Sequence, residues 1–151
     1  MLARDIMTAK PFFVLPSDDI CKAAEIMRYE DIGGVPVVES EARPRLVGLI
    51  TDRDITTRCV ARRHPYPCPV SEIMTPGPIK TVFPVTDVSE IVRLMEECSV
   101  RRIPVVSHDG MLIGIVAEAD LATKLAPEEA LPLRKRVKPH TGAPHLGREL
   151  R

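Results

Sequence analysis

The residues best placed to do chemistry in this chain sit at two helix-start signals, Thr51-Asp52-Arg53-Asp54 and Ala117-Glu118-Ala119-Asp120, and in one basic doublet, Arg101-Arg102. Thr51 and Asp54 stand at capping-box spacing, where a hydroxyl and a carboxylate satisfy two backbone donors that a helix start leaves without partners. A helix N-terminus ordinarily attracts anions. Asp52 and Asp54 put two negative charges on this one, so a phosphate seated directly on the turn is repelled, and the Asp54 carboxylate is better suited to accept hydrogen bonds from hydroxyl groups. Phosphates then need cations elsewhere, and the guanidinium forks of Arg101 and Arg102 match phosphate oxygens. The plainer alternative for that doublet is an exposed basic strand start bound only to water.

Other constellations carry less. Cys59, His64 and Cys68 lie close in sequence, but structural zinc normally takes four ligands, and a core thiol with a loop imidazole is the preferred reading. His108 neighbours Asp109 in a turn, where polar residues are ordinary. The chain shows no nucleophile, base and orienter arrangement and no glycine-rich phosphate loop of either common spacing. Met27 and Met95 read as core fillers. No enzyme activity and no metal are expected.

These groups act together only if the fold gathers them, and the chain repeats itself in a way that would. Met7-Thr8 through Asp54 is echoed by Met74-Thr75 through Asp120: Pro16 answers to Pro84, Val35-Pro36-Val37-Val38 to Ile103-Pro104-Val105-Val106, and Gly48-Leu49-Ile50 to Gly114-Ile115-Val116. A unit this long repeated twice suits two halves closing as a pseudo-symmetric pair, with ligands at the seam. Each copy opens with an extended stretch, Phe12 to Leu15 or Ile79 to Phe83, ended by proline. Asp18 and Thr86 are the expected N-caps of two amphipathic helices carrying Ile20, Ala23, Ala24 and Met27 in one copy and Val88, Ile91, Val92 and Met95 in the other. Gly33-Gly34 is expected to end the first helix, and the second runs out near Ser99. Two short strands follow, joined by Asp109-Gly110 in the second copy, where both positions tolerate positive φ, and by a longer loop, Glu39 to Arg45, in the first. A last helix starts at each Thr/Ala-x-x-Asp turn, the first running to about Arg63 and the second stopping before Pro127. The order per copy is strand, helix, strand, strand, helix. Residues 3–63 and 70–125 form the two motifs, 64–69 a stiff linker with Pro65, Pro67 and Pro69, and 126–151 a basic, proline-rich tail expected to be mobile.

Together these features resemble the cystathionine-β-synthase (CBS) domain family, in which two β-α-β-β-α motifs pair into a Bateman module of the α+β class. The resemblance spans Ala3 to about Leu125 and rests on Met-Thr, the proline before the first helix, Val/Ile-Pro-Val-Val and the last helix start, each present in both copies. It implies an adenosyl ligand such as AMP, ADP, ATP, S-adenosylmethionine or NAD in two clefts, and dimerisation of modules. Carried onto this chain, it implies a main cleft of Thr51, Asp54, Pro78, Ile79, Lys80, Arg101, Arg102 and Pro104, with the Thr-Asp turn holding a ribose. The second cleft would gather Lys10, Pro11, Phe12, Gly34, Val35, Pro36, Ala117 and Asp120. Because Gly34 stands where the main cleft has Arg102, and Ala117 where it has Thr51, the second cleft is expected to be degraded or purely apolar.

The bulk composition is consistent with such a module. Among 151 residues, 21 basic side chains balance 21 acidic ones, which removes the footprint expected of a duplex-binding protein. Single-stranded nucleic acid through the basic tail is a weaker alternative, since few aromatics offer stacking platforms. Neither a signal-peptide core nor a bilayer-length apolar run is present, and four cysteines lack metal or redox spacing. A cytoplasmic, homodimeric regulatory module acting on an unknown protein target is expected. The rival expectation is a ligand-free module whose value lies in dimerisation or interaction.

Overall fold

The computed structural model describes residues 1–125, and the tail, 126–151, lies outside the described residues. The secondary structure is mixed, with two three-stranded antiparallel sheets and the helices packed on them. Helices α2 (Ile20–Glu30) and α5 (Val88–Cys98) bury one stripe each, Ile20, Ala23 and Met27 in the first and Val88, Ile91, Leu94 and Met95 in the second. Ala24, expected on the buried stripe, is exposed.

The caps fall one residue later than expected. Asp19 accepts from the Cys21 N–H at 2.8 Å, and Asp87 accepts from the Ser89 N–H at 2.8 Å. Asp18 and Thr86 instead close the turn before each helix, accepting from the N–H of Leu15 (2.7 Å) and Phe83 (3.0 Å). Pro16 and Pro84 explain why the first extended stretches do not grow into strands. Val14 makes one parallel bridge to Val37, and Val82 one to Val105, and the next donor on that side of the chain falls on Pro16 or Pro84, which has no N–H to give. Both helices end on a residue in the left-handed region, Asp31 (φ 52°) and Ser99 (φ 54°). Gly33-Gly34 does not end the first helix; Gly34 already begins the next strand.

Strands β2 (Gly34–Val38) and β3 (Leu46–Thr51) form one hairpin, and β5 (Arg102–Val106) and β6 (Leu112–Ala117) the other. In the second hairpin the Ser107 N–H donates to the Met111 carbonyl at 2.9 Å, enclosing a three-residue loop. Only Gly110 (φ 79°) is left-handed there, so Asp109 needs no positive φ.

Each repeat lends its opening elements to the other half. Strand β1 (Thr8–Ala9) pairs with β6, Thr8 opposite Ile115, and β4 (Thr75–Pro76) pairs with β3, Leu49 opposite Thr75. The short helix α1 (Ala3–Ile6) puts Ala3 and Ile6 into the core of Val82, Ile91, Ile103 and Leu121, while α4 (Val70–Ile73) adds Val70 and Ile73 to that of Val14, Ala23, Val35 and Ile50. The Met-Thr and Gly-hydrophobic-hydrophobic motifs meet here. A Cβ at Gly48 would lie 2.8 Å from both the Met74 sulfur and the Thr75 carbonyl oxygen, and one at Gly114 would strike the Met7 sulfur. Glycine therefore lets the borrowed strand lie flat on its host. Cations hold the borrowed helices: Arg58 donates to the carbonyls of Ile73 (3.2 Å) and Met74 (3.3 Å), and Lys124 to that of Ile6 (2.8 Å). Lys or Arg at a helix C-terminal carbonyl is favourable.

Candidate functional site

The two last helices start directly over the seam. Helix α3 (Asp52–Asp54), which continues as a π-helical stretch over Ile55–Val60, has both arms of the expected capping box: the Asp54 N–H donates to Thr51 Oγ1 at 3.1 Å and the Thr51 N–H donates to Asp54 Oδ2 at 3.0 Å. Helix α6 (Glu118–Lys124) has one arm, the Ala117 N–H donating to Asp120 Oδ2 at 3.1 Å, because alanine has no acceptor to return. Each start is tied to the strand lead of its own half by a backbone bond, Asp52 N–H to Gly33 O at 3.0 Å and Glu118 N–H to Arg101 O at 2.8 Å. Those bonds bring the Thr-x-x-Asp turn beside Gly33-Gly34 and the Ala-x-x-Asp turn beside Arg101-Arg102.

Among the described residues, two cavities lie between the halves. The first, about 630 Å³, is lined by Gly33, Gly34, Leu49, Thr51, Asp52 and Arg53 from one half and by Ser99, Val100, Arg101, Arg102, Pro104 and Ile115 from the other. Four residues of the expected main cleft are brought together: Thr51, Arg101, Arg102 and Pro104. Thr51 Oγ1 accepts one bond from its own helix, which leaves its O–H free to donate outward. Arg101 reaches Glu118 at 3.8 Å while 79% exposed, whereas Arg53 and Arg102 have no carboxylate at ion-pair distance among the described residues.

Four other residues of the expected main cleft do not line this cavity. Asp54 is the one buried charged residue among the described residues, 8% exposed; its carboxylate is occupied by the Thr51 N–H and by Arg58, whose Nε lies 3.8 Å away. Pro78, Ile79 and Lys80 follow β4 along the host hairpin, Pro78 and Lys80 exposed, and run past the cavity because the Gly77 N–H is held by the Val47 carbonyl at 3.0 Å. Sequence reasoning also missed lining residues. Arg53 was hidden inside the Thr-x-x-Asp motif as an unspecified position, and Ser99 could have been found as the left-handed helix end that aims the following residues at the seam.

The second cavity, about 300 Å³, is lined by Thr8, Pro11, Phe12, Glu30, Asp31, Ile32, Gly34 and Pro36 together with Arg102, Ile115, Ala117, Ala119 and Asp120. Pro11, Phe12, Gly34, Pro36, Ala117 and Asp120 are thus gathered as expected. Val35 is fully buried in the core, since alternate strand residues face opposite ways, and exposed Lys10, left-handed at φ 50°, does not line it. The cleft is not purely apolar: Glu30, Asp31 and Asp120 line it, and Arg102 borders both cavities.

The cysteine and histidine cluster does not converge. Cys59 and Cys68 are buried in one core; burial first, then the neighbouring Cys59 thiol, pushes the Cys68 thiol up to about 12. A thiol so raised stays protonated and inert. His64 turns instead to Glu72. Among the described residues no three His, Cys, Asp or Glu side chains gather as a metal site, and no helix is long and apolar enough to cross a membrane.

Comparison with known proteins agrees with this architecture. The CBS domain family matches the chain twice, at residues 3–60 and 70–127. Hypoxic response protein 1 of Mycobacterium tuberculosis is 38% identical over 130 residues, 85% of this chain and 87% of that protein. Inosine-5'-monophosphate dehydrogenase of Streptococcus pyogenes is 35% identical over 111 residues, 74% of this chain, but the chain spans only 22% of that enzyme's length. Among solved structures, Hypoxic Response Protein I with two coordinated zinc ions superposes with a TM-score of 0.73 at 37% identity, covering 83% of this chain and 100% of that one. The CBS domain pair of MJ0100 in complex with 5'-methylthioadenosine and S-adenosyl-L-methionine gives 0.70 at 28% identity (82% and 94% covered), and CBSX2 in complex with AMP gives 0.68 at 28% (88% and 98%). The duplicated motif, the exchanged opening strands and the twofold family match establish that the chain belongs to the CBS domain family, as a tandem pair of such domains.

Proposed function

We propose that this chain is a cytoplasmic, non-catalytic regulatory module that senses an adenine nucleotide in the larger cleft and passes the change to a partner protein, working as a homodimer. The observation that carries this is the convergence of the Thr51 hydroxyl with Arg53, Arg101 and Arg102 around one cavity of about 630 Å³, a volume within the usual range for small-ligand sites. Leu49, Val100, Pro104 and Ile115 supply apolar wall for a base, the Thr51 O–H faces a sugar, and the arginines face phosphates. Solved relatives in complex with AMP or S-adenosyl-L-methionine support the ligand class. Because the cleft is walled by both halves, a bound ligand bridges them, and it shifts their arrangement by the difference in its affinity for the two states.

Titration calorimetry with AMP and ATP tests this. One nucleotide per chain is expected to bind, and replacing Arg102 by alanine is expected to weaken ATP about tenfold, the scale of one charge-assisted contact. Absence of binding by either nucleotide, together with no thermal shift, would sink the sensor and favour a scaffold.

A further inference from the structure

The smaller cavity is the acidic side of the seam. Glu30 and Asp31, both exposed, border it from the end of α2 and Asp120 from the start of α6, against one cation, Arg102. Neither Glu30 nor Asp31 has an ion-pair partner among the described residues. Helix α2 is 11 residues long and ends at Glu30, so its C-terminus adds a partial negative charge at the same place. The larger cavity is bordered by Arg53, Arg101 and Arg102 against Asp52. A cationic segment brought to the seam is therefore drawn to one side and repelled from the other. The acidic side also carries Phe12, 54% exposed, in the same lining as Pro36, which gives an aromatic face for a guanidinium and apolar surface for the stems of long basic side chains.

The sequence holds such a segment a short way past this cavity. Asp120 lines the cavity, Leu125 is the last described residue, and Arg134-Lys135-Arg136-Val137-Lys138 then places basic side chains at all but one of its positions. Arg134 lies 9 residues past Leu125 (134 less 125), a span of at most about 30 Å. Helix α6 has 7 residues and is about 10 Å long, so the way back from its end to the acidic mouth is within reach. We infer that the acidic mouth of the smaller cavity is a docking surface for residues Arg134 to Lys138 of the same chain, held by Glu30 and Asp31. Because the segment is tethered, its effective concentration there is on the order of millimolar, and a few exposed charge pairs, each weak alone, suffice to hold it. Docked there, it occupies the smaller cavity and leaves the larger one open.

Zero-length carbodiimide coupling of the full chain tests this, because it joins an ammonium to a carboxylate only where the two are in contact. Peptide mass spectrometry is expected to find Lys135 or Lys138 joined to Glu30 or Asp31 in preference to the other exposed carboxylates. Mixing the chain with an isotopically heavy copy is expected to show that the link stays within one chain. The pair Arg134→Glu and Arg136→Glu keeps both lysines and both carboxylates but reverses the charge beside them, and is expected to cut the yield of the link about tenfold. Both substitutions lie outside residues 1–125 and leave the two cores untouched. Raising the salt to about 1 M, where the screening length falls to about 3 Å, is expected to cut it likewise. Links spread over the acidic side chains without preference, links found only between light and heavy chains, or a yield unchanged by the charge reversal would each overturn the inference.

Discussion

Replacing Gly48 by alanine tests the exchange of opening strands, on which both clefts depend. The new methyl carbon would sit 2.8 Å from the Thr75 carbonyl oxygen and 2.8 Å from the Met74 sulfur, where ordinary contact begins at 3.4 Å, so one strand must move by about 0.6 Å (3.4 less 2.8). Overpacking of this kind costs about 1–3 kcal/mol, and the stiffer unfolded chain gives back about 0.4–1 kcal/mol. A net loss of about 1–2 kcal/mol then lowers the unfolding midpoint by roughly 2–8 °C for a chain of this size. Thermal and urea unfolding followed by circular dichroism measure it. Gly114 makes the informative comparison, because the nearest atoms to its added carbon all belong to the Met7 side chain. Met7 can rotate away, so Gly114→Ala is expected to cost less, and Met7→Ala is expected to relieve it in a double-mutant cycle. Met74→Ala is expected to relieve Gly48→Ala only in part, since the Thr75 carbonyl is backbone and stays. A Gly48→Ala protein as stable as the wild type, or one fully restored by Met74→Ala, would show that β4 does not lie on β3 as described.

Three further outcomes follow from the caps and the linker. Ala117→Thr gives α6 the acceptor that Thr51 gives α3 and is expected to stabilise the chain by about 0.5–1 kcal/mol, while Thr51→Ala costs about 1 kcal/mol; urea unfolding reads both, and equal stability would mean the caps are replaced by water. The carbonyl of Pro65 and then the carboxylate of Glu72 hold His64 above its ordinary value of 6.5. A raised value in the folded state means that stability from this group is fully present below 6.5 and is lost as pH rises through the folded value. The midpoint difference between wild type and His64→Gln is therefore expected to be largest in mild acid and to shrink toward alkaline pH; a constant difference would refute the pairing. Asp19 and Asp87 behave oppositely. The Cys21 backbone N–H holds Asp19 below 3.8, and the Ser89 side chain, then its backbone N–H, does the same for Asp87, so their stabilisation is present above 3.8 and is lost as pH falls through the folded values. Asp19→Asn is expected to blunt acid unfolding, which a pH titration of the circular dichroism signal checks.

What the sequence makes legible here is what local physics controls. Helix periodicity placed α2 and α5 because one stripe of each is apolar, and the capping-box spacing placed α3 because both of its partners lie within one turn. The N-caps were missed by one residue since Asp18-Asp19 and Thr86-Asp87 are adjacent acceptors, and only tertiary geometry decides which closes the turn and which caps the helix. The exchanged strands were not legible: β1 and β4 are two residues each, too short for a period, and their partners lie far along the chain. Lys10, Pro78, Ile79 and Lys80 are carried to the clefts by the family resemblance, and they do not line either cavity. The arginine doublet and the Thr51 turn line one cavity because the two halves close on each other, while the backbone bonds tie the Thr51 turn to Gly33 and the doublet to the Ala117 turn. The acidity of the second cavity was missed because Glu30 and Asp31 look like an ordinary solvated helix end until the seam is closed over them.

Arg102 makes the two clefts dependent on each other. Its side chain borders both cavities and has no ion-pair partner of its own among the described residues, so a phosphate in the first cleft draws the guanidinium toward itself and leaves the carboxylates of the second less screened. The basic segment docked on the second is then held more tightly, and by linkage ATP is bound more tightly by the same factor when that segment is docked. For unit charges displaced several ångströms near a solvated surface, the coupling is about two- to fivefold. Titration calorimetry is expected to show ATP bound more weakly by that factor in the Arg134→Glu and Arg136→Glu variant than in the wild type, and Arg102→Gln is expected to abolish the difference. A difference that survives the substitution would mean that the halves communicate through their packing and not through this one charge.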